Sequence, residues 1–169
     1  MEIWDLFGPE RQPLFRTHRR GEKLNFGEYH IDVEVWVVNN EKKVLVTLRS
    51  PQKEQYPNKW EVTGGSALAG ETSKQAAIRE LREEVGIIAK ADELELLGTY
   101  QDHVSFTDIF LLHCDVLISK LKMQEGETVD AKWITLEELN EIIENKTFAL
   151  PIAEHFKTII KNALYKILK

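Results

Sequence analysis

The sequence predicts an α/β protein, a helix–sheet–helix sandwich around a mixed sheet, and three observations carry that prediction. Ile31, Val33, Val35 and Val37 alternate with Asp32, Glu34 and Trp36, the period of a strand. Ile78, Leu81 and Val85 recur three and four apart behind Thr72 and Gln75, the period of a helix behind its start signal. Strand-like and helix-like segments interleave around a sheet built from hairpins, which is the pattern of layered α/β folds. At 169 residues one domain spanning 1–169 is expected. A chain of this size buries roughly 70% of its unfolded surface without needing staples.

Taken in order, the first 29 residues carry two short apolar pieces, Ile3-Trp4-Asp5-Leu6-Phe7 and Leu14-Phe15, around a Gly8-Pro9 turn. They read as a small strand pair covering the domain. The strand from His30 runs into the turn Asn39-Asn40-Glu41-Lys42, and Val44, Val46 and Leu48 alternate in a second strand, giving a hairpin. A polar loop over 50–59 carries Pro51 and Pro57 and leads through Trp60-Glu61-Val62 to Gly64-Gly65. Thr72-Ser73-Lys74-Gln75 is a capping box, and Gly86 suits a left-handed stop for the helix it opens. Segments 94–100 and 106–117 read as strands, as does a short one at Lys132-Trp133-Ile134. Thr135-Leu136-Glu137-Glu138 is a second capping box, for a helix to about 144. Pro151 opens a last helix over about 151–168, with Ile152, Phe156, Ile159, Ile160, Ala163, Leu164 and Ile167 on one face. Its basic residues Lys157, Lys161, Lys166 and Lys169 suit a dipole-favoured C-terminus.

Composition narrows the function. Lys plus Arg is 22 and Asp plus Glu is 28, a net charge of −6. That sign disfavours a nucleic acid polymer or an anionic membrane as partner, but allows a small phosphorylated ligand bridged by metal ions. No run approaches a membrane span, and Met1-Glu2-Ile3-Trp4-Asp5 has no basic or apolar leader character, so a cytoplasmic protein is expected. Cys114, the one cysteine, cannot form an internal disulfide and reads as a small buried hydrophobe in a strand. His113 beside it reads as a partly buried strand side chain.

The chemistry concentrates on the helix after Thr72. At about 100° per residue, Glu80, Glu83 and Glu84 share a face about 100° wide, to one side of the stripe of Ile78, Leu81 and Val85. Like charges three or four apart cost about 0.2–0.5 kcal/mol per pair, and only Arg79, four residues from Glu83, offers relief. Mg2+ takes oxygen ligands from a few carboxylates and keeps waters for phosphates, so this face is either a metal site or a solvated acidic helix. Gly64-Gly65, ahead of the helix, lets a backbone approach a ligand closely and offers a carbonyl oxygen.

Gly65, five residues, Glu71, seven residues, then Arg79-Glu80-Leu81-Arg82-Glu83-Glu84-Val85-Gly86-Ile87 resembles the Nudix box at every specified position. The resemblance to the Nudix hydrolase superfamily covers about 30–139. It implies the Nudix α/β/α sandwich and a Mg2+-dependent (or Mn2+-dependent) pyrophosphohydrolase acting on a nucleoside diphosphate derivative. Carried over by position, it makes Glu80, Glu83 and Glu84 metal ligands with the Gly64 carbonyl beside them. Arg79 would orient the carboxylates, Glu71 and Gly65 would support the junction, and Glu83 would stand nearest the attacking water. Family members often carry a further Glu on a later loop, for which Glu125 and Glu127 are candidates. Arg49 is a candidate phosphate clamp, and His103 a candidate lining residue of the substrate cleft. Family enzymes are often homodimers, and the N-terminal extension and last helix are either that interface or packing within one chain.

Two other readings stand beside this one. The layout before the box also resembles the isopentenyl diphosphate isomerases, which share the fold. Their cysteine and histidine, however, fall on Gly64 and Ser66 here. A nucleotide-binding module without catalysis is the other, and it would not need the full set of Glu80, Glu83 and Glu84.

Overall fold

The computed structural model describes residues 2–168; Lys169 of the basic helix end lies outside them. β1 (Ile3–Phe7) and β2 (Pro13–Arg19) form the N-terminal antiparallel pair. Seven further strands make one sheet: β3 (His30–Val38), β4 (Val44–Arg49), β5 (Trp60–Glu61), β6 (Thr63–Ser66), β7 (Leu94–Gln101), β8 (Ser105–His113) and β9 (Thr128–Ile134). Along it the order is β5-β4-β3-β8-β7, with β6 on β3 and β9 on β4. β3 and β8 run parallel from His30 opposite Ser105 to Val38 opposite His113, while the other pairs are antiparallel, so the sheet is mixed.

The hairpin expected from β3 and β4 closes over a single rung, Val38 opposite Val44. Beyond it β6 takes the edge of β3, pairing Asp32 to Val35 with Ser66 to Thr63, and β4 turns away to pair with β9. Each backbone edge can be paired only once, so the arrival of β6 forces the splay. Gly64 and Gly65 therefore belong to a strand, not to a loop ahead of the helix.

One face of the sheet carries Ile31, Val33, Val35 and Val37 and is covered by α1 (Ser73–Glu84) through Ala76, Ala77 and Leu81. Trp36, Val38, Ile109 and Leu111 on the other face meet α2 (Leu136–Glu144) and the C-terminal helix. That helix is α3 (Leu150–His155), a π-helical turn over Phe156–Ile160, and α4 (Lys161–Leu168). The predicted three-layer α/β/α sandwich is thus the observed one. Phe156, Ile160 and Leu164 of the predicted apolar face are buried in the same chain, joined by Ala153 and Leu168.

Both capping boxes form as read, at Thr72 with Gln75 and at Thr135 with Glu138, and Gly86 has a φ of 73°. β8 ends at His113, so Cys114 follows the strand and is only partly buried, and His113 is exposed. The short strand read at Lys132 begins four residues earlier, at Thr128. The N-terminal pair is tied to the sandwich at several points. Arg11 donates to both carboxylate oxygens of Asp108 at 2.7 and 2.5 Å, Gly70 N–H donates to Asp5 at 2.7 Å, and Trp4 stacks on His30 at 4.1 Å. No helix among the described residues is long and apolar enough to cross a membrane.

Candidate active site

α1 delivers its carboxylates to the splay between β3 and β4. Its apolar side is fixed on the sheet, so the face carrying Glu80, Glu83 and Glu84 turns toward β6. A Cβ on Gly65 would fall inside the carboxylate of Glu80, and one on Gly64 would come within 2.5 Å of the Val33 carbonyl oxygen. The glycine pair is what lets strand and acidic helix approach this closely. Gly64 N–H donates to Glu84 at 3.3 Å.

Arg79 organises the remaining carboxylates. It donates to the two oxygens of Glu71 at 2.9 and 3.0 Å, to Glu80 at 2.7 Å, to Glu83 at 3.2 Å and to the Ser66 carbonyl at 2.9 Å. Hydrogen bonds donated to Glu71 raise the guanidinium above its ordinary value and keep it charged. Glu71 in turn accepts from Leu68 N–H at 2.9 Å, closing the turn into α1. Burial opposes its charge, but Arg79 and the Leu68 amide together hold it below the usual carboxylate range. Glu80 is pushed up by burial, only partly offset by Arg79. Glu84 keeps an accessible edge but is mostly enclosed, and burial, with Glu61 and Glu80 nearby, pushes it well above the usual range.

These groups line a polar cavity of about 240 Å³, walled by Gly64, Gly65, Glu80, Glu83 and Glu84 with Arg49, Lys53 and Glu127 across from them. It opens into a larger cleft of about 850 Å³, and Arg49, Lys53, Gly64 and Gly65 border both. Arg49 is held in place: it donates to Glu61 at 2.6 Å and to the Gln55 carbonyl at 2.9 and 3.1 Å. Burial raises Glu61 to about 7, against the pull of Arg49. Lys53 pairs with Glu127.

Of the residues singled out from sequence, Gly64, Gly65, Arg79, Glu80, Glu83, Glu84, Arg49 and Glu127 come together here. Glu71 stands behind Arg79 and touches neither cavity. His103 and Glu125 are exposed and line neither. His103 lies in the turn that Asp102 closes by accepting from Val104 and Ser105 N–H, and Glu125 precedes the turn at Gly126, beyond which Glu127 reaches the cavity. Cys114 lines neither cavity, and burial raises its thiol pKa, away from the reactive thiolate.

Sequence reasoning missed Lys53, Glu61, Glu34 and His155. For Glu34 the signal was a carboxylate between Val33 and Val35. For His155 it was a polar residue three after Ile152 and four before Ile159, on the predicted apolar face.

Among the described residues no three His, Cys, Asp or Glu side chains are grouped so that they could hold an ion as they stand, and Arg79 is paired with Glu71, Glu80 and Glu83. The donors are nevertheless oxygens throughout, on a polar cavity with room for solvent. That suits a hard divalent cation such as Mg2+, which takes few protein ligands and keeps several waters.

The family model described as NUDIX domain matches residues 28–156. The uncharacterized Nudix hydrolase lmo0368 of Listeria monocytogenes is 39% identical over 149 residues, covering 88% of each chain. The crystal structure of DR0079 from Deinococcus radiodurans superimposes with a TM-score of 0.73 at 24% identity, over 88% of this chain and 92% of that one. A bifunctional NMN adenylyltransferase/ADP ribose pyrophosphatase from Francisella tularensis, complexed with AMP and a manganese ion, gives a TM-score of 0.60 at 22% identity. That match covers 88% of this chain and 43% of the other.

Proposed function

The chain belongs to the Nudix hydrolase family, and on that premise we propose that it hydrolyses the diphosphate bond of a small nucleoside diphosphate derivative by water attack on phosphorus. The observation that carries this reading is the cavity itself, where Glu80, Glu83 and Glu84 face the cations Arg49 and Lys53 across a space of about 240 Å³. Acidic groups alone would repel a diphosphate; cations alone would bind it without activating water. Both are needed, and both are there.

Glu80, Glu83, Glu84 and the Gly64 carbonyl would hold Mg2+ or Mn2+, which when bound supplies positive charge against the diphosphate oxygens. Arg79 positions Glu80 and Glu83 and is itself anchored by Glu71, so Glu71 acts through Arg79. Glu83 has the most solvent-exposed side chain of the Arg79-bonded carboxylates, 42% exposed, against 14% for Glu80. It takes the proton from the attacking water, since a general base must reach the water it deprotonates. Arg49, braced by Glu61 and Gln55, and Lys53 face the non-bridging oxygens of the substrate. A fold neighbour that holds AMP and manganese supports the nucleotide and the metal class together.

The test is mass spectrometry of products formed in ¹⁸O-water with Mg2+ from a pool of nucleoside diphosphate derivatives, nucleoside triphosphates and isopentenyl diphosphate. A labelled phosphate product is expected, and its position names the phosphorus attacked. An unlabelled isomer of isopentenyl diphosphate would replace hydrolysis with isomerisation, and binding without any product would make the protein a nucleotide-binding module.

A further inference from the structure

We propose that the cleft beyond the carboxylates recognises a hydrogen-bond-donating group on the diphosphate, a sugar or an amino-bearing base, through the couple of Glu34 and His155. This rests on the reading of the carboxylate cavity as the diphosphate site.

One face of the sheet changes character along its length. Trp36 and Leu111 stand opposite each other there, within the apolar core under the C-terminal helix. Four residues earlier the same face presents Asp32 opposite Thr107, with Glu34 between the two rungs. These groups are not at the surface: Glu34 and His155 are each 5% exposed and Thr107 is 6% exposed. A buried polar group costs free energy unless it is partnered, and a polar floor in place of an apolar one needs a reason.

The couple shows what that reason is. The carboxylate of Glu34 accepts from His155 Nδ1, and its second oxygen lies 3.4 Å from Trp36 Nε1. A carboxylate only accepts, so Nδ1 carries the hydrogen and Nε2 is the atom left over. Nε2 makes no hydrogen bond to the described protein, and the ring lines the cleft with Tyr100 packed against it at 4.3 Å. A pair that merely docked the helix would bury both nitrogens against protein. Here one nitrogen is spent on Glu34, the other has no hydrogen bond to the described protein, and the ring lines the cleft.

The ligand class follows from the donors and acceptors. Asp32, Glu34 and Asp102 all line the cleft, and ionised carboxylates accept hydrogen bonds and repel anions. The cations that line it, Arg20, Arg49 and Lys53, all stand at its border with the carboxylate cavity. One ligand therefore lies across both, with its diphosphate at the border and a neutral, donor-rich group over Thr107 and His155. At about 850 Å³ the cleft is of ligand-pocket size and has room for such a group. A hydrocarbon there would offer nothing to His155 Nε2 or to the remaining acceptor positions of the carboxylates, and a site built on hydrogen bonds rejects a ligand that cannot make them.

The test is equilibrium binding to the full chain of diphosphates whose bridging oxygen is replaced by methylene, so that binding is read without turnover. The probes are the analogues of ADP-ribose, UDP-glucose and CDP, with those of isopentenyl diphosphate and pyrophosphate as controls. At least one of the first three should bind more than about tenfold tighter than both controls, and His155→Leu should erase the advantage while leaving pyrophosphate-analogue binding unchanged. Should His155→Leu fail to fold by circular dichroism, the nearly isosteric Thr107→Val carries the same expectation, a loss of about tenfold. Equal binding of the isopentenyl compound, no binding by any of the first three, or an advantage that survives in the folded variants would overturn the proposal. Turnover of the natural compounds with Mg2+ separates the two readings. A sugar or base preference without hydrolysis sinks the hydrolase and leaves the recognition site; hydrolysis without preference does the reverse.

Discussion

Arg79→Lys keeps the charge at the centre of the site and removes the fork, so it separates electrostatics from geometry. The guanidinium serves four partners at once, Glu71, Glu80, Glu83 and the Ser66 carbonyl. An ammonium has three donors on a single point and cannot span them. The bond to Glu83 contributes little to stability, because that carboxylate is 42% exposed. Glu71 and Glu80 are 21% and 14% exposed, so each loses a bond that water replaces poorly. At about 1 kcal/mol for each, Arg79→Lys should cost about 2 kcal/mol. In a domain of this size that is a fall in Tm of roughly 4–8 °C by thermal circular dichroism. Turnover should fall further, by about a hundredfold, because carboxylates displaced by even an ångström no longer meet the reacting groups. A variant that melts with the wild type and turns over at its rate would refute the claim that the fork assembles the carboxylates.

Glu83→Gln should lower turnover by about 10²–10⁴-fold with an unchanged melting curve, and wild-type activity in that variant would remove Glu83 from the role of base. The Arg11–Asp108 pair makes a prediction about acid stability. Burial opposes the charge of Asp108, but hydrogen bonds from Arg11, Ser73 and Thr99 together hold it below its ordinary range. A folded-state value below the unfolded one means that this stabilisation is present above the unfolded pKa and is lost as pH falls through the folded one. Arg11 gives the largest of these lowering contributions, so its removal takes away much of that stabilisation. The gap in urea midpoint between wild type and Arg11→Met should therefore narrow as pH falls from 6 to 3, and a constant gap would exclude the pair as the cause. Cys114→Ser should leave turnover intact, since the thiol lines neither cavity; loss of activity in a folded variant would revive isomerase chemistry.

What was legible in the sequence is what neighbouring residues decide among themselves. The acidic face of α1 follows from spacing on a helix, and both capping boxes join residues three apart, so these needed no knowledge of the rest of the chain. The alternation of β3 was equally plain. Its partners were not. The hairpin rule favours β4, the next strand in sequence, yet β3 spends its two edges on β6 and β8. Nothing local to 30–48 announces that a strand from residue 63 outcompetes the adjacent one for that edge. Lys53 and Glu61 escaped for the same reason: each reads as an ordinary loop or strand charge until the splay brings it opposite α1. The polar floor was less accessible still, because Glu34, Thr107 and His155 come from three elements across the chain, and none belongs to a motif.

The splay also explains why two chemistries meet at one place. β3 carries Val33 and Glu34 side by side, pointing to opposite faces of the sheet, and both are paired with the glycines of β6, Val33 with Gly65 and Glu34 with Gly64. On one side of that seam, Gly65 backs onto the carboxylate of Glu80. On the other, Glu34 holds the ring of His155. The backbone of two glycines thus lies between the acidic helix and the polar floor, and no side chain at either position could be added without moving Val33 or Glu80. On the proposed reading, a diphosphate at this seam would reach the carboxylates of α1 at one end while its attached group would lie over the floor. Hydrolysis and recognition, as proposed, would then need no moving part to be brought together. The edge that β4 gave up to β6 has already joined them.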